Sequence, residues 1–294
     1  MKSFQHIVVI YNPNSTGNSE KLAKQFVLRA SKTWPKAKTT ISPTKRAGHA
    51  EEIAASASKK PGQVLVVSSS GDGGYSEVVN GVMKSGQADR VTCAVLPAGN
   101  ANDHSRTMHQ SPLIDRLKDA KQIRIDLLKA DIMHKSTSKM RYAHSYIGLG
   151  LTSEVGRELN KHDLTPVNEK IMAAKTLGKL KPFKILRAGK KRSYQSLIFS
   201  NINNMAKVLT FSGNDLPTDG KFEVTAFRGK SKIALLVKVV KAALWFVRAQ
   251  KHTERYEFTT LHNMSMQLDG EIIDLPQGAE VTISIAPRAL STLI

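Results

Sequence analysis

The sequence predicts two domains: an α/β N-terminal domain built on a parallel, doubly wound sheet, and a β-rich C-terminal domain. Three observations carry this. Apolar runs without polar alternation, Ile7–Tyr11, Val64–Val67 and Val91–Leu96, each end in a polar, glycine-bearing loop, as expected of parallel strands buried on both faces. Helical periodicity fills the spaces between them, and beyond residue 128 strand-like segments follow one another instead. A chain of 294 residues with 40% hydrophobic residues is also long enough for two cores.

The first strand, Ile7–Tyr11, runs into Asn12-Pro13-Asn14-Ser15-Thr16-Gly17 and then a helix with Leu22, Ala23, Phe26, Val27 and Ala30 on one face. Ala50, Ile53, Ala54 and Ala57 mark a second helix. Val64–Val67 leads into Ser68-Ser69-Ser70-Gly71-Asp72-Gly73-Gly74, after which Val78, Val79, Val82 and Met83 recur at helical spacing. Glycine there permits positive φ and the close approach of a phosphate, and a helix start offers free N–H groups. Asp72 would stand at the carboxyl end of a strand, where open α/β sheets bind ligands. Taken alone, a tight turn with a helix-capping aspartate is the better account of this segment. The third strand, Val91–Leu96, ends in Pro97-Ala98-Gly99-Asn100-Ala101-Asn102-Asp103. Three such loops after three buried strands point to a phosphate-binding face.

The second half offers candidate strands at 142–149, 194–202, 222–228, 255–260, 263–268 and 280–286. Met264, Met266 and Leu268 alternate before Asp269-Gly270, with Ile272, Ile273 and Leu275 after it. This is the signature of a tight β-hairpin.

These loops resemble those of the diacylglycerol kinase catalytic-domain family, which includes bacterial lipid kinases and sphingosine kinases and is similar to NAD kinases in its nucleotide domain. The resemblance rests on Asn12-Pro13 with Gly17, Thr44 with Gly48-His49-Ala50, Ser70 to Gly74, Pro97 to Asp103, and Asp269-Gly270-Glu271. It covers residues 5 to 287. It implies a nucleotide-binding catalytic domain over 1–128, a β-rich, sandwich-like lipid-substrate domain over 129–287, and a last segment, 288–294, returning to the first. It also implies an ATP site made of Asn12, Thr44, Ser70, Gly71, Asp72, Gly73, Gly74, Tyr75, Ser76, Asn100, Asn102 and Asp103. Asp72 and Asp103 would orient Mg-ATP, and Glu271 would be the base that activates the acceptor hydroxyl. Leu216, Asp219 and Lys221 match the family's cation site, with Asp219 as the side-chain ligand.

The chain also departs from that pattern. Where the family has Gly-Gly-Asp-Gly-Thr, this sequence has Ser70 for the first glycine and Gly74 for the threonine, and Asn100 replaces a threonine. The implied activity is transfer of the γ-phosphate of Mg-ATP to the hydroxyl of diacylglycerol or a related lipid. Two alternatives stand beside it: a nucleotide- or anionic-lipid-binding homologue without turnover, motivated by the missing hydroxyls, and a soluble NAD-kinase-like enzyme.

Charge narrows the partners. Lys and Arg number 44 against 24 Asp and Glu, a net charge of +20, which favours a polyanionic partner. Leu235, Leu236, Val239, Val240, Trp245 and Phe246 interleave with Lys232, Lys238, Lys241 and Arg248, which predicts a basic amphipathic helix suited to an anionic membrane surface. Packing on its own domain is the competing reading of that helix. Aromatics are only 6%, too few for a stacking platform, so no nucleic acid is expected. Cys93 is the only cysteine and falls in a buried strand, which predicts core packing and a cytoplasmic chain, and the basic amphipathic helix places that chain peripherally at the inner face of the membrane. His49 reads as a brace, and His104, His109, His144, His252 and His262 lack zinc-ligand spacing.

Overall fold

The computed structural model describes residues 3–108, 112–150, 153–154, 182–202, 204–205, 209–210, 217–228 and 251–294. Leu216 and residues 232–250 of the amphipathic helix expected at 232–251 lie outside these residues, and its last position, Lys251, opens a strand instead. The strands are β1 His6–Tyr11, β2 Lys38–Pro43, β3 Val64–Ser70, β4 Val91–Pro97, β5 Gln122–His134, β6 Thr137–Ala143, β7 Tyr146–Gly150, β8 Phe183–Arg187, β9 Lys190–Tyr194, β10 Ser196–Ser200, β11 Asn204–Met205, β12 Leu209–Thr210, β13 Phe222–Phe227, β14 Lys251–Thr253, β15 Arg255–Thr260, β16 Met264–Leu268, β17 Glu271–Leu275 and β18 Glu280–Leu293. The helices are α1 Ser19–Thr33, α2 His49–Ser58, α3 Asp72–Lys84 and α4 Asp103–Met108.

Two compact units divide the chain: Met1–Leu127 with Asp215–Asp219 and Ala286–Ile294, and Leu128–Asn214 with Gly220–Ile285. In the first unit β2, β1, β3 and β4 lie side by side in that order, all parallel. Ser291 and Thr292 of β18 add a further parallel pairing to Thr92 and Cys93. Every residue of β3 is buried, because helices cover both faces of such a sheet. The apolar stripe of α1 buries Ala23, Phe26 and Ala30 against Ile7, Val9, Leu65 and Val67. Each large side chain so buried contributes about 1.5–3 kcal/mol. The strand order reverses between β1 and β3, which opens a crevice at their carboxyl ends.

The second unit is antiparallel and β-rich. Six strands run in the order β14, β13, β10, β7, β16, β17. Separately, β15 pairs with β8 and with β18, and β8 turns back into β9. One hydrophobic core joins these groups with the β5–β6 hairpin, through Leu128, Ile147, Leu149, Phe199, Phe258, Met266 and Ile283. The Asp269-Gly270 turn takes positive φ at both residues, 45° and 97°, as a two-residue hairpin of this twist demands.

The segment read as one strand at 142–149 is two, β6 ending at Ala143 and β7 starting at Tyr146. The backbone N–H groups of His144 and Ser145 leave the ladder for a buried carboxylate, that of Asp269. The hairpin of β8 and β9 escaped the pattern because Lys190, Lys191, Arg192 and Ser193 are all exposed, leaving no apolar alternation. Among the described residues, no helix is long and apolar enough to cross a membrane.

Candidate functional site

A pocket of about 310 Å³ opens in the first unit at the carboxyl ends of β1, β2 and β3. Its polar lining comes from Asn12, Asn14, Thr44, Lys45, Arg46, Ser68, Ser70 and Glu77, with Gly74 at one wall. Asn12, Thr44, Ser70 and Gly74 come from loops separate in sequence and were expected at one site, where the fold gathers them. Lys45, Arg46, Ser68 and Glu77 were not singled out. The two cations directly follow Thr44, a signal the charge count alone obscured. Hydroxyls, amides and two cations make a donor set that fits a polyphosphate.

The loops around this pocket brace one another. The Asn12 side chain accepts from the Asn14 N–H at 3.0 Å, forming an Asx turn. Glu77 reaches from α3 to the start of α2, accepting from the N–H groups of Gly48 at 2.9 Å and Ala50 at 3.1 Å. His49 Nδ1 accepts from the Lys45 N–H at 3.1 Å, so this histidine braces the 45–49 turn and carries its ring proton on Nε2. Arg46 forks onto both oxygens of Glu52 at 2.7 and 2.8 Å.

Asp72 opens α3, and its carboxylate faces the next loop. Its oxygens accept from the N–H groups of Asp103 at 3.1 Å and His104 at 3.2 Å. It therefore caps α4 and ties the 98–103 loop to the 70–74 turn. Asp103 is fully buried and ion-paired with Arg106. Asn102 closes its own turn, accepting from the Gly99 N–H at 2.9 Å and donating to the Gly99 carbonyl at 2.7 Å. Asn100 is exposed at the tip.

The glycines of the 70–74 turn correct one expectation. Neither Gly71, Gly73 nor Gly74 has a positive φ; space is what requires glycine at 71 and 74. A Cβ on Gly71 would stand 3.0 Å from Gly99 Cα, and one on Gly74 would stand 2.4 Å from Ser70 Oγ. Of the residues expected in the nucleotide site, Asn12, Thr44, Ser70 and Gly74 line this pocket, and Gly71, Asp72, Gly73, Tyr75, Ser76, Asn100, Asn102 and Asp103 do not. Tyr75 is wholly buried with its ring 5.0 Å from that of His104, and Ser76 is buried within α3.

In the second unit Asp269 and Glu271 divide their work. Asp269 is buried and accepts from the N–H groups of His144 at 2.6 Å, Ser145 at 3.1 Å and Tyr146 at 2.9 Å, with His144 Nε2 at 3.3 Å. It organises the entry to β7. Glu271 lies at the start of β17 with about a third of its side chain exposed; Arg141 donates to its Oε2 from Nε at 3.0 Å and from Nη2 at 2.5 Å. Lys139 Nζ stands 4.0 Å from Oε1. Asp219 and Lys221 are exposed. Among the described residues, no group of three or more His, Cys, Asp or Glu side chains is placed to hold a metal.

Residues 6–134 match the family model of the diacylglycerol kinase catalytic domain. No curated protein matches the chain. The fold is that of a diacylglycerol kinase from Bacillus anthracis str. Sterne, at a TM-score of 0.72 and 18% identity over 99% of this chain and 97% of that one. A yeast NADH kinase, solved in complex with NADH, is similar at a TM-score of 0.52 and 13% identity, over 100% of this chain and 83% of that one. The domain match covers residues 6–134, and the shared fold extends over 99% of the chain.

Proposed function

We propose that this chain transfers the γ-phosphoryl group of Mg-ATP to the hydroxyl of diacylglycerol or a related lipid alcohol at an anionic membrane surface. The observation that carries the reading is the pocket at the carboxyl ends of β1 to β3, lined by Asn12, Thr44, Ser70, Lys45 and Arg46, inside a matched kinase domain. Magnesium-bound ATP supplies the phosphoryl group and part of the charge neutralisation.

The chain's own residues do the rest. Lys45 brings positive charge to the pocket, Arg46 adds N–H donors beside its pairing with Glu52, and the hydroxyls of Thr44, Ser68 and Ser70 offer further donors. Asp72 keeps the 98–103 loop in place through the two N–H groups it accepts. Glu271 takes the proton of the acceptor alcohol, a role that contributes about 10²–10⁴-fold when well placed. Arg141 orients it by holding Oε2, and Oε1, with Lys139 Nζ 4.0 Å away, receives the proton. The Leu216–Lys221 segment is proposed as a cation site, with the exposed carboxylate of Asp219 as its described side-chain donor.

Membrane association is supported by the net charge of +20 and by the exposed Lys184, Lys190, Lys191 and Arg192 of the β8–β9 hairpin. Each such residue near an anionic surface contributes about 1 kcal/mol. A second reading, nucleotide binding without turnover, draws on the fact that Asp72 and Asp103 both find partners within the protein.

Transfer of labelled γ-phosphate from Mg-ATP to a mixed lipid extract in anionic vesicles separates them. Wild type should label a lipid, Glu271→Gln should lose the label by roughly 100-fold or more, and Arg141→Gln should lose about 10-fold with ATP affinity retained. ATP binding without any labelled lipid supports the second reading, and labelled NAD in place of lipid supports the soluble kinase.

A further inference from the structure

The end of β3 holds three consecutive serines, and the period-two geometry of a strand sends them to opposite faces. Ser69 faces α1, donating to the Ser19 carbonyl at 2.7 Å. Ser68 and Ser70 share the other face, line the pocket, and place their hydroxyl oxygens 2.7 Å apart. Ser70 Oγ also donates to the Gly71 carbonyl at 3.0 Å.

Residue 74 lies in the first turn of α3, one helical step above Ser70. Glycine is a poor helix former, and nothing in the backbone at 74 asks for one, since its φ is not positive. The demand is steric. A Cβ on Gly74 would meet Ser70 Oγ at 2.4 Å and Ser70 Cβ at 2.7 Å. One volume at the pocket wall therefore admits a side chain from residue 70 or from residue 74, and here residue 70 fills it.

We infer that Ser70 and Gly74 are a reciprocal pair, in which the Ser70 hydroxyl stands in for a side chain at position 74 and serves as the hydroxyl donor to the nucleotide's phosphates. The inference rests on the proposed nucleotide site. Ser68 is the donor of the 2.7 Å hydroxyl pair, because the single proton of Ser70 is given to the Gly71 carbonyl. A phosphate oxygen is a stronger, charged acceptor for that same proton. The absence of a hydroxyl at position 74 is then a relocation of the donor, and the turn retains its phosphate-binding capacity.

Two readouts test this: the melting temperature of the free protein, and the Kd of Mg-ATP by titration calorimetry. Gly74→Ala, which keeps Ser70, should melt about 4 °C lower or more, or fail to fold. The exchanged variant Ser70→Gly/Gly74→Ser should fold, melt close to wild type, and bind Mg-ATP within about threefold of it, since the two positions share one volume and one donor role. Ser70→Ala keeps the Cβ and removes the hydroxyl, and should raise Kd about 10-fold or more, the worth of a hydrogen bond to a charged group.

Gly74→Ala as stable as wild type, or an exchanged variant no better than Gly74→Ala, overturns the shared volume. Ser70→Ala binding as tightly as wild type overturns the donor role and leaves the nucleotide site standing. A wild type that binds no Mg-ATP overturns the nucleotide reading itself, and the donor role with it.

Discussion

Gly99→Ala probes the contact that joins the 98–103 loop to the 70–74 turn. A Cβ at 99 would stand 2.3 Å from Gly71 Cα and 3.0 Å from Gly71 N. Both atoms are backbone, so no side chain can swing away and the loop itself must shift. Forced overpacking of this kind costs about 1–3 kcal/mol. A displaced loop also pulls the N–H groups of Asp103 and His104 from the Asp72 carboxylate, which they reach at only 3.1 and 3.2 Å. Losing one of these charge-assisted bonds adds about 1.5–3 kcal/mol. The expected total is roughly 2.5–6 kcal/mol, read as a lower urea midpoint of the folded protein. Gly71→Ala is the graded comparison: its Cβ would stand 3.0 Å from Gly99 Cα and meet nothing else closer than 3.7 Å. It should cost less than Gly99→Ala. Asp72→Asn, combined with Gly99→Ala, should add less than its own single cost, because both act on the same pair of bonds. Gly99→Ala with a wild-type midpoint, or Gly71→Ala costing more than Gly99→Ala, would refute the reasoning.

Asp269→Ala removes a buried acceptor of three backbone N–H groups at a residue with φ of 45°. It should cost roughly 3 kcal/mol or more, whereas Asp269→Asn, which tolerates that backbone and keeps one acceptor oxygen, should cost clearly less by the same urea measurement. Burial pushes the Cys93 thiol up to about 12 from 9.0. The folded protein therefore holds this proton longer than the unfolded chain, so its stabilisation is complete below pH 9 and is lost as pH rises from 9 towards 12. At pH 10.5 the loss should be about 2 kcal/mol, seen as the extra alkaline fall in urea midpoint of wild type relative to Cys93→Ala. A thiol reagent at neutral pH should label Cys93 only after unfolding.

Local physics made much of this chain legible before any coordinates. Uninterrupted apolar runs such as Val64–Val67 mark strands buried on both faces, the stripe through Ala23, Phe26 and Ala30 marks a helix packed on them, and Asp269-Gly270 marks a two-residue turn; each signal lies within a few neighbouring residues. The polar loops after β1, β3 and β4 follow in the same way, and the first two of them supply Asn12, Asn14, Ser70 and Gly74 to the pocket lining. The β8–β9 hairpin was not legible, since its exposed Lys190–Ser193 stretch carries no alternation. Neither were Lys45, Arg46 and Glu77, whose place beside Asn12 and Ser70 depends on strand order.

What the sequence by itself determined is the set of elements and the residue types at their ends, because periodicity, turn chemistry and burial are properties of short stretches. Tertiary structure alone decided how the carboxylates are spent and why the glycines are there. Asp72 reaches two N–H groups 31 and 32 residues away, Glu271 meets Arg141 130 residues away, and Gly71 faces Gly99 across two loops. Such pairings depend on which chain ends the sheet order brings together, and no local pattern carries that distance.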